Sequence, residues 1–106
     1  MLTFELHTKA VAAAEQATND HIDKYGEHDA CGFAWVTAYV KGNTKLGKSF
    51  IAQGFDKAYG GGYQLWNPSK NWTQSISAKE AGTEAYVRCI REALPDVKIY
   101  SNSRMD

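Results

Sequence analysis

Residues 31–40, Cys-Gly-Phe-Ala-Trp-Val-Thr-Ala-Tyr-Val, alternate between two sizes of side chain. Cys31, Phe33, Trp35, Thr37 and Tyr39 are mostly bulky, whereas Gly32, Ala34, Val36, Ala38 and Val40 are small. Successive side chains of a strand point to opposite sides, so the run predicts a strand with one broad face and one narrow face. The narrow face suits a closely packed helix. The broad face either builds the other half of a core or lines a groove. A strand apolar on both sides is expected at the centre of a sheet and covered on both faces.

The remaining elements follow from periodicity and punctuation. Leu2–Leu6 alternates apolar and polar residues and fits either a short edge strand or the first turn of the next helix. Thr8 is placed to cap a helix over 9–25, and Gly26 to end it in the left-handed region. Its small face, Ala10, Ala14 and Ala17 with His21, is the partner expected for the narrow face of the strand. A short helix over 45–53 ends at Gly54, with Phe50 and Phe55 able to meet across the cap. Gly60-Gly61-Gly62 precedes a strand over 63–66 that Pro68 ends. Ser77-Ala-Lys-Glu80 reads as a capping box opening a helix to Leu94, with Ala78, Ala81, Ala85, Cys89 and Ala93 inward, and Pro95 stops it. A last strand over 97–100 leaves 101–106 as a polar tail that orders on binding.

The order (β)αβαβαβ describes one compact α/β sandwich, or an α+β variant, with a small three- to four-stranded sheet and helices packed on it. Strand 63–66, the long helix and strand 97–100 form a candidate parallel crossover. A chain of 106 residues with 43% hydrophobic and 23% charged residues suits a single globular domain. No run is long enough to span a bilayer and the first residues lack a signal-peptide pattern, so a soluble cytoplasmic protein is expected. Cys31 and Cys89 form no C-x-x-C pair; core thiols are the expectation, with a disulfide or ligand pair as the alternative.

Residues 42–49, Gly-Asn-Thr-Lys-Leu-Gly-Lys-Ser, match the phosphate-cradling pattern G-x-x-x-x-G-K-[ST] literally. In such a loop Gly42 and Gly47 allow backbone N–H groups to face phosphate, Lys48 supplies charge and Ser49 holds Mg²⁺. The surroundings oppose turnover. The following helix is short, and no later strand ends in the acidic residue that completes the metal site. Phosphate binding without hydrolysis, or plain turn glycines, fits better.

Net charge is zero but unevenly spread. Residues 1–40 hold two lysines against six acidic residues, and residues 41–79 hold six lysines against one aspartate. Phe50, Phe55, Tyr59, Tyr63, Trp66 and Trp72 share that basic third, a mixture suited to nucleotides or single-stranded nucleic acid. Lys45, Lys48 and Lys70 are the candidate phosphate contacts, Tyr63, Trp66 and Trp72 the stacking rings, and Asn67 a hydrogen-bonding group. Arg104, on the polar tail, is placed to close over a ligand. His7, His21, Asp23, His28, Asp29 and Cys31 have the chemistry of metal or Cys-His sites at spacings that match none. No catalytic residue, metal or cofactor is assigned.

Asp29–Val36, Gly62–Pro68, Lys79–Ala85 and Ser103–Asp106 resemble stretches of small, functionally uncharacterised proteins encoded by tailed bacteriophages. The resemblance implies a viral origin and an intracellular role in infection, and favours a non-catalytic accessory protein. The expected function is therefore binding of an anionic, ring-containing partner through residues 41–79. A protein–protein inhibitor of a host enzyme or defence component, and a minimal nucleotide phosphatase, are the alternatives. For so small and aromatic a chain a homo-oligomer is expected.

Overall fold

A computed structural model describes residues 1–105. It is an α+β sandwich in which an antiparallel four-stranded sheet carries its helices on one face. In chain order the elements are α1 (Phe4–Tyr25), β1 (Gly32–Ala38), α2 (Lys45–Ala52), β2 (Asp56–Lys57), β3 (Tyr63–Trp66), α3 (Ile76–Ala93) and β4 (Ile99–Met105). Strand order is β2-β3-β1-β4, so β1 is central as its composition requires. Both β3 and β4 run antiparallel to β1. They are therefore parallel to one another, and the crossover through α3 spans β1 rather than joining neighbours.

The N-terminus is helical rather than extended. Leu2 is buried, its N–H donates to Ser49 Oγ at 2.9 Å, and Thr3 rather than Thr8 caps α1 by accepting from Leu6 N–H. Gly26, at φ +77°, ends the helix as its freedom predicts. Likewise α3 starts two residues earlier than the Ser77 box suggests. Ser75 Oγ accepts from Ala78 N–H, and the Asp29 carboxylate accepts from Ser77 N–H at 3.0 Å. The expected polar tail is strand: residues 101–105 complete β4, because Gly32–Ala38 offers a seven-residue edge for it to pair with. Position 106, the last of that expected tail, lies outside the described residues.

Helix α3, not α1, packs on the narrow face of the sheet. It buries Tyr86, Val87 and Ile90 against Val36, Ala38 and Ile99, and turns Ala78, Gly82 and Ala85 to other neighbours. A helix covered on two sides needs a wider apolar arc than the alanine stripe, which is why Tyr86 and Ile90 belong to the core and Ala93 does not. α1 packs on α3 through Ala10, Ala14 and Thr18. The approach is close: a Cβ on Gly82 would fall 2.6 Å from Thr18 Oγ1 and 3.2 Å from Ser69 Cβ. Gly82→Val is expected to destabilise by about 1–3 kcal/mol through forced separation of the two helices, measured by chemical denaturation.

Phe50 and Phe55 meet edge to face at 5.1 Å between ring centres, both fully buried, and Tyr86 adjoins Phe55. Tyr86 is the largest buried side chain, and its hydroxyl is satisfied by His7 Nδ1 at 2.7 Å. Burial pushes the phenol well above its ordinary value, and burial with the nearby Lys70 charge lowers the His7 imidazole. Neutral partners are thereby favoured. No buried side-chain polar atom among the described residues lacks a partner. Of the two thiols Cys31 is exposed and Cys89 half-buried, both unpaired, so Cys31 is not a core residue. No helix among the described residues is long and apolar enough to cross a membrane.

Candidate functional site: the uncovered face of the sheet

No element among the described residues covers the broad face of β1. Register fixes what lies there: Phe33 opposite Arg104, Trp35 between Trp66 and Asn102, and Thr37 between Gln64 and Tyr100. Asp56 extends the last row beyond Gln64. The rings form two contacting groups on this face. Trp35 and Trp66 stack at 4.6 Å with 27° between planes, Phe33 meets Trp66 edge to face at 6.2 Å, and Tyr39 lies 6.0 Å from Tyr100. Phe33 and Trp66 keep 39% and 44% of their surface in water, and Tyr39 and Tyr100 are also exposed. Single exposed rings are ordinary; a group of three in mutual contact, Phe33, Trp35 and Trp66, makes this face the candidate site.

Polar groups floor the patch. Asn102 Nδ2 donates to Thr37 Oγ1 at 2.9 Å, fixing the amide between the ring rows. Beside it the turn after β2 carries Tyr59, fully exposed, and closes one side of a shallow depression of about 370 Å³ between Trp35, Gln64, Trp66 and Asn102. The Arg91 guanidinium stands 5.2 Å from the Tyr100 ring centre, and two further cations gather at the opposite end. The Arg104 guanidinium stands 5.8 Å and the Lys79 ammonium 5.5 Å from the Phe33 ring centre. Lys79 is held by donating to Gly32 O at 3.0 Å. With Asp56 at the far end, the face is polar along its length.

Residues 41–79 do not form the common surface expected of them. Trp66 is on the open face. Tyr63, its neighbour two places away from Leu65, points to the covered side and packs on the core, as do the Phe50 and Phe55 rings. Lys45 and Lys48 are exposed on α2, whose buried Phe50 anchors it on the helix side of the sheet. Asn67, at φ +44°, spends its side chain on its own loop, donating to Asn71 O and accepting from Ser69 Oγ. Lys70 sits near His7, and Trp72, 93% exposed, extends from a loop tied to α1 by the Asn71–Asn19 amide contact. Of the ten residues expected to bind, the open face brings together Trp66 and Arg104.

The phosphate-loop match has a different explanation. Thr44 caps α2, its hydroxyl accepting from Gly47 N–H at 3.0 Å and donating to Lys41 O. Lys48 N–H is taken by Thr44 O, and Ser49 Oγ donates to Leu46 O while accepting from Leu2 N–H. The N–H groups of Thr44, Gly47 and Lys48, three of those a cradle would aim at phosphate, are spent inside the chain. Both glycines have packing reasons: a Cβ on Gly42 would fall 2.0 Å from Tyr63 Oη, and one on Gly47 would fall 1.8 Å from Lys41 O. Helix α2 is also only eight residues long. Gly42, Lys45, Lys48 and Ser49 therefore make a capped turn and not an anion cradle.

Of the histidine–carboxylate residues near 21–31, His21 and Asp29 make contacts within the fold. The His21 ring lies 4.8 Å from that of Tyr25, tilted by 46°, and among the described residues no three His, Cys, Asp or Glu side chains are grouped to hold a metal. Asp29 acts on α3. Hydrogen bonds from Ser75 and Ser77 hold its carboxyl down from the usual 3.8 to about 2. A carboxyl depressed on folding adds stability above pH 3.8 that is lost as pH falls toward 2. The stability advantage of the native chain over Asp29→Asn should shrink across that window in acid titrations of the unfolding midpoint, and stay constant above it.

Comparison of the chain with known protein families, with curated proteins and with solved structures finds no match.

Proposed function

We propose that the protein binds single-stranded nucleic acid on the open face of its sheet, without chemical turnover. The observation that carries this reading is the uncovered row of rings, Phe33, Trp35 and Trp66, set beside two cations and a polar floor. Bases have flat faces that stack on such rings whatever their sequence, at about 1–3 kcal/mol each. Sheets with exposed aromatics serve this purpose in other proteins. Side chains two places apart on a strand stand about 6.7 Å apart, a separation suited to an extended, unstacked strand. Asn102 and Gln64 supply the donors and acceptors that a base edge needs, and Arg104 and Lys79 meet the phosphates. Joined to the resemblance to small tailed-phage proteins, this describes an accessory protein of the host cytoplasm.

A host protein docking on the same face is the second reading, favoured by one observation: the net charge of the chain is zero, without the basic excess usual for nucleic-acid binding. Salt dependence separates the two. Anisotropy of a labelled oligothymidylate should show saturable binding at low salt that weakens as salt rises, displaced by single strands and not by duplex. Arg104→Ala is expected to reduce the slope of log affinity against log salt by about 1. Absence of binding at low salt removes the nucleic-acid reading.

A further inference from the structure

The free edge of β4 assigns a partner. Tyr39 N–H donates to Lys98 O, so Lys98 and, by the alternation of antiparallel ladders, Tyr100, Asn102 and Arg104 turn their backbone groups toward β1. Ile99, Ser101, Ser103 and Met105 turn theirs outward. The opposite edge of the sheet is β2, two residues long, so β4 is the one extended edge. Its protection is slight: Arg104 is its one charged side chain, and no proline, no lysine and no bulge interrupts Ile99–Met105. Only Arg91 covers part of it, donating from Nε and Nη2 to Ile99 O. That leaves Ser101 and Ser103 as open rungs.

We propose that a second copy of this chain pairs with that edge, β4 against β4, in an antiparallel register centred on Asn102. The choice of register follows from complementarity. Centred there, the two strands overlap over their whole length and Ser101 of one copy exchanges both backbone bonds with Ser103 of the other. On the open face Arg104 falls opposite Tyr100 of the second copy, a cation beside a ring as in its own contact with Phe33. On the covered face Ile99 falls opposite Met105. The two-fold axis stands perpendicular to the sheet, so both ring-lined faces look the same way and both copies of α3 lie on the other side. An isologous contact needs a patch that complements itself. The groove between α3 and β4 brings both signs of charge to that edge, with Glu84 and Glu92 on either side of Arg88 and Arg91. The pairing would yield one eight-stranded sheet. It does not depend on what the open face binds.

Sedimentation of the full chain should show a reversible dimer of twice 11.8 kDa. Ser103→Pro removes an outward N–H and leaves the bonds to β1 intact, so it should sediment as a monomer with an unchanged far-ultraviolet spectrum. Should that variant fail to fold, cross-linking decides. Asn102 would face its own copy as a non-hydrogen-bonded pair, about 4.5 Å between Cα atoms, within disulfide reach. Asn102→Cys in a Cys31→Ser background is expected to form a disulfide dimer under mild oxidation, and Ser101→Cys is not. A chain that stays monomeric at every concentration overturns the proposal, as does a dimer indifferent to Ser103→Pro without a link at 102. Monomers whose edge takes up a foreign extended peptide would overturn it also.

Discussion

Replacing Phe33 and Trp66 together by alanine is expected to weaken binding of a single-stranded oligonucleotide by about thirtyfold, while the chain stays folded. The magnitude comes from two stacking rings at about 1 kcal/mol each, the low end of the usual range, with 1.4 kcal/mol for each factor of ten. The low end is chosen because the rings touch at 6.2 Å and their losses will not add fully. Stability should change far less than for a core residue, since both rings already keep more than a third of their surface in water. Trp72→Ala supplies the control. That indole is more exposed than either, but it stands on a loop tied to α1, so its loss should move affinity less than about twofold by the stacking argument. Anisotropy titrations of the three variants at one low salt concentration compare them directly. Equal losses for Trp72→Ala and the double variant would move the surface away from the sheet.

Phe50→Ala should have the opposite pattern. The ring is fully buried, packed edge to face on Phe55 in the cluster that holds Tyr86, Val36 and Ile99. Its removal leaves a cavity that α2, eight residues long, can close only in part. Losses of about 3–5 kcal/mol are usual for such a change, against the roughly 5–15 kcal/mol that holds a domain folded. Urea unfolding should show a large fall in midpoint with little change of slope. At a temperature where the variant remains folded, its affinity for the oligonucleotide should match the native chain. Phe50 and Trp66 lie in the same basic stretch of sequence, so the pair of results separates sequence neighbourhood from surface neighbourhood.

That distinction explains what could be read from the chain and what could not. Period-2 alternation made β1 legible, including which of its faces would be narrow, because the strand is long and its two sets of side chains differ in volume. The same pattern in Tyr100-Ser101-Asn102-Ser103-Arg104 was hidden by polarity: an edge strand over an open face carries no apolar signature, so it resembles a tail. The assumption that an apolar broad face must be covered failed for a related reason. Hydrophobicity shows that a ring prefers to leave water, and not whether this chain or a partner supplies the cover. Grouping charges and rings by position along the chain misled most. Phe50, Phe55 and Tyr63 answer to the core, Lys48 to a solvated helix, and the ring surface is assembled from β1, β3 and β4, which are distant in sequence. The motif at 42–49 matched because two packing glycines and a helix cap happen to share spacing with an anion loop. Only the destination of each N–H could separate them.

The most direct test uses the three indole N–H signals of the chain in a nitrogen-edited spectrum titrated with a short oligothymidylate. Trp35 and Trp66 should shift progressively and saturate together, along with the backbone amides of Phe33, Asn102 and Arg104, while Trp72 stays in place. Shifts confined to Trp72 or to the α2 lysines, or none at all at low salt, would contradict the claim that the open face of the sheet is where this protein meets its ligand.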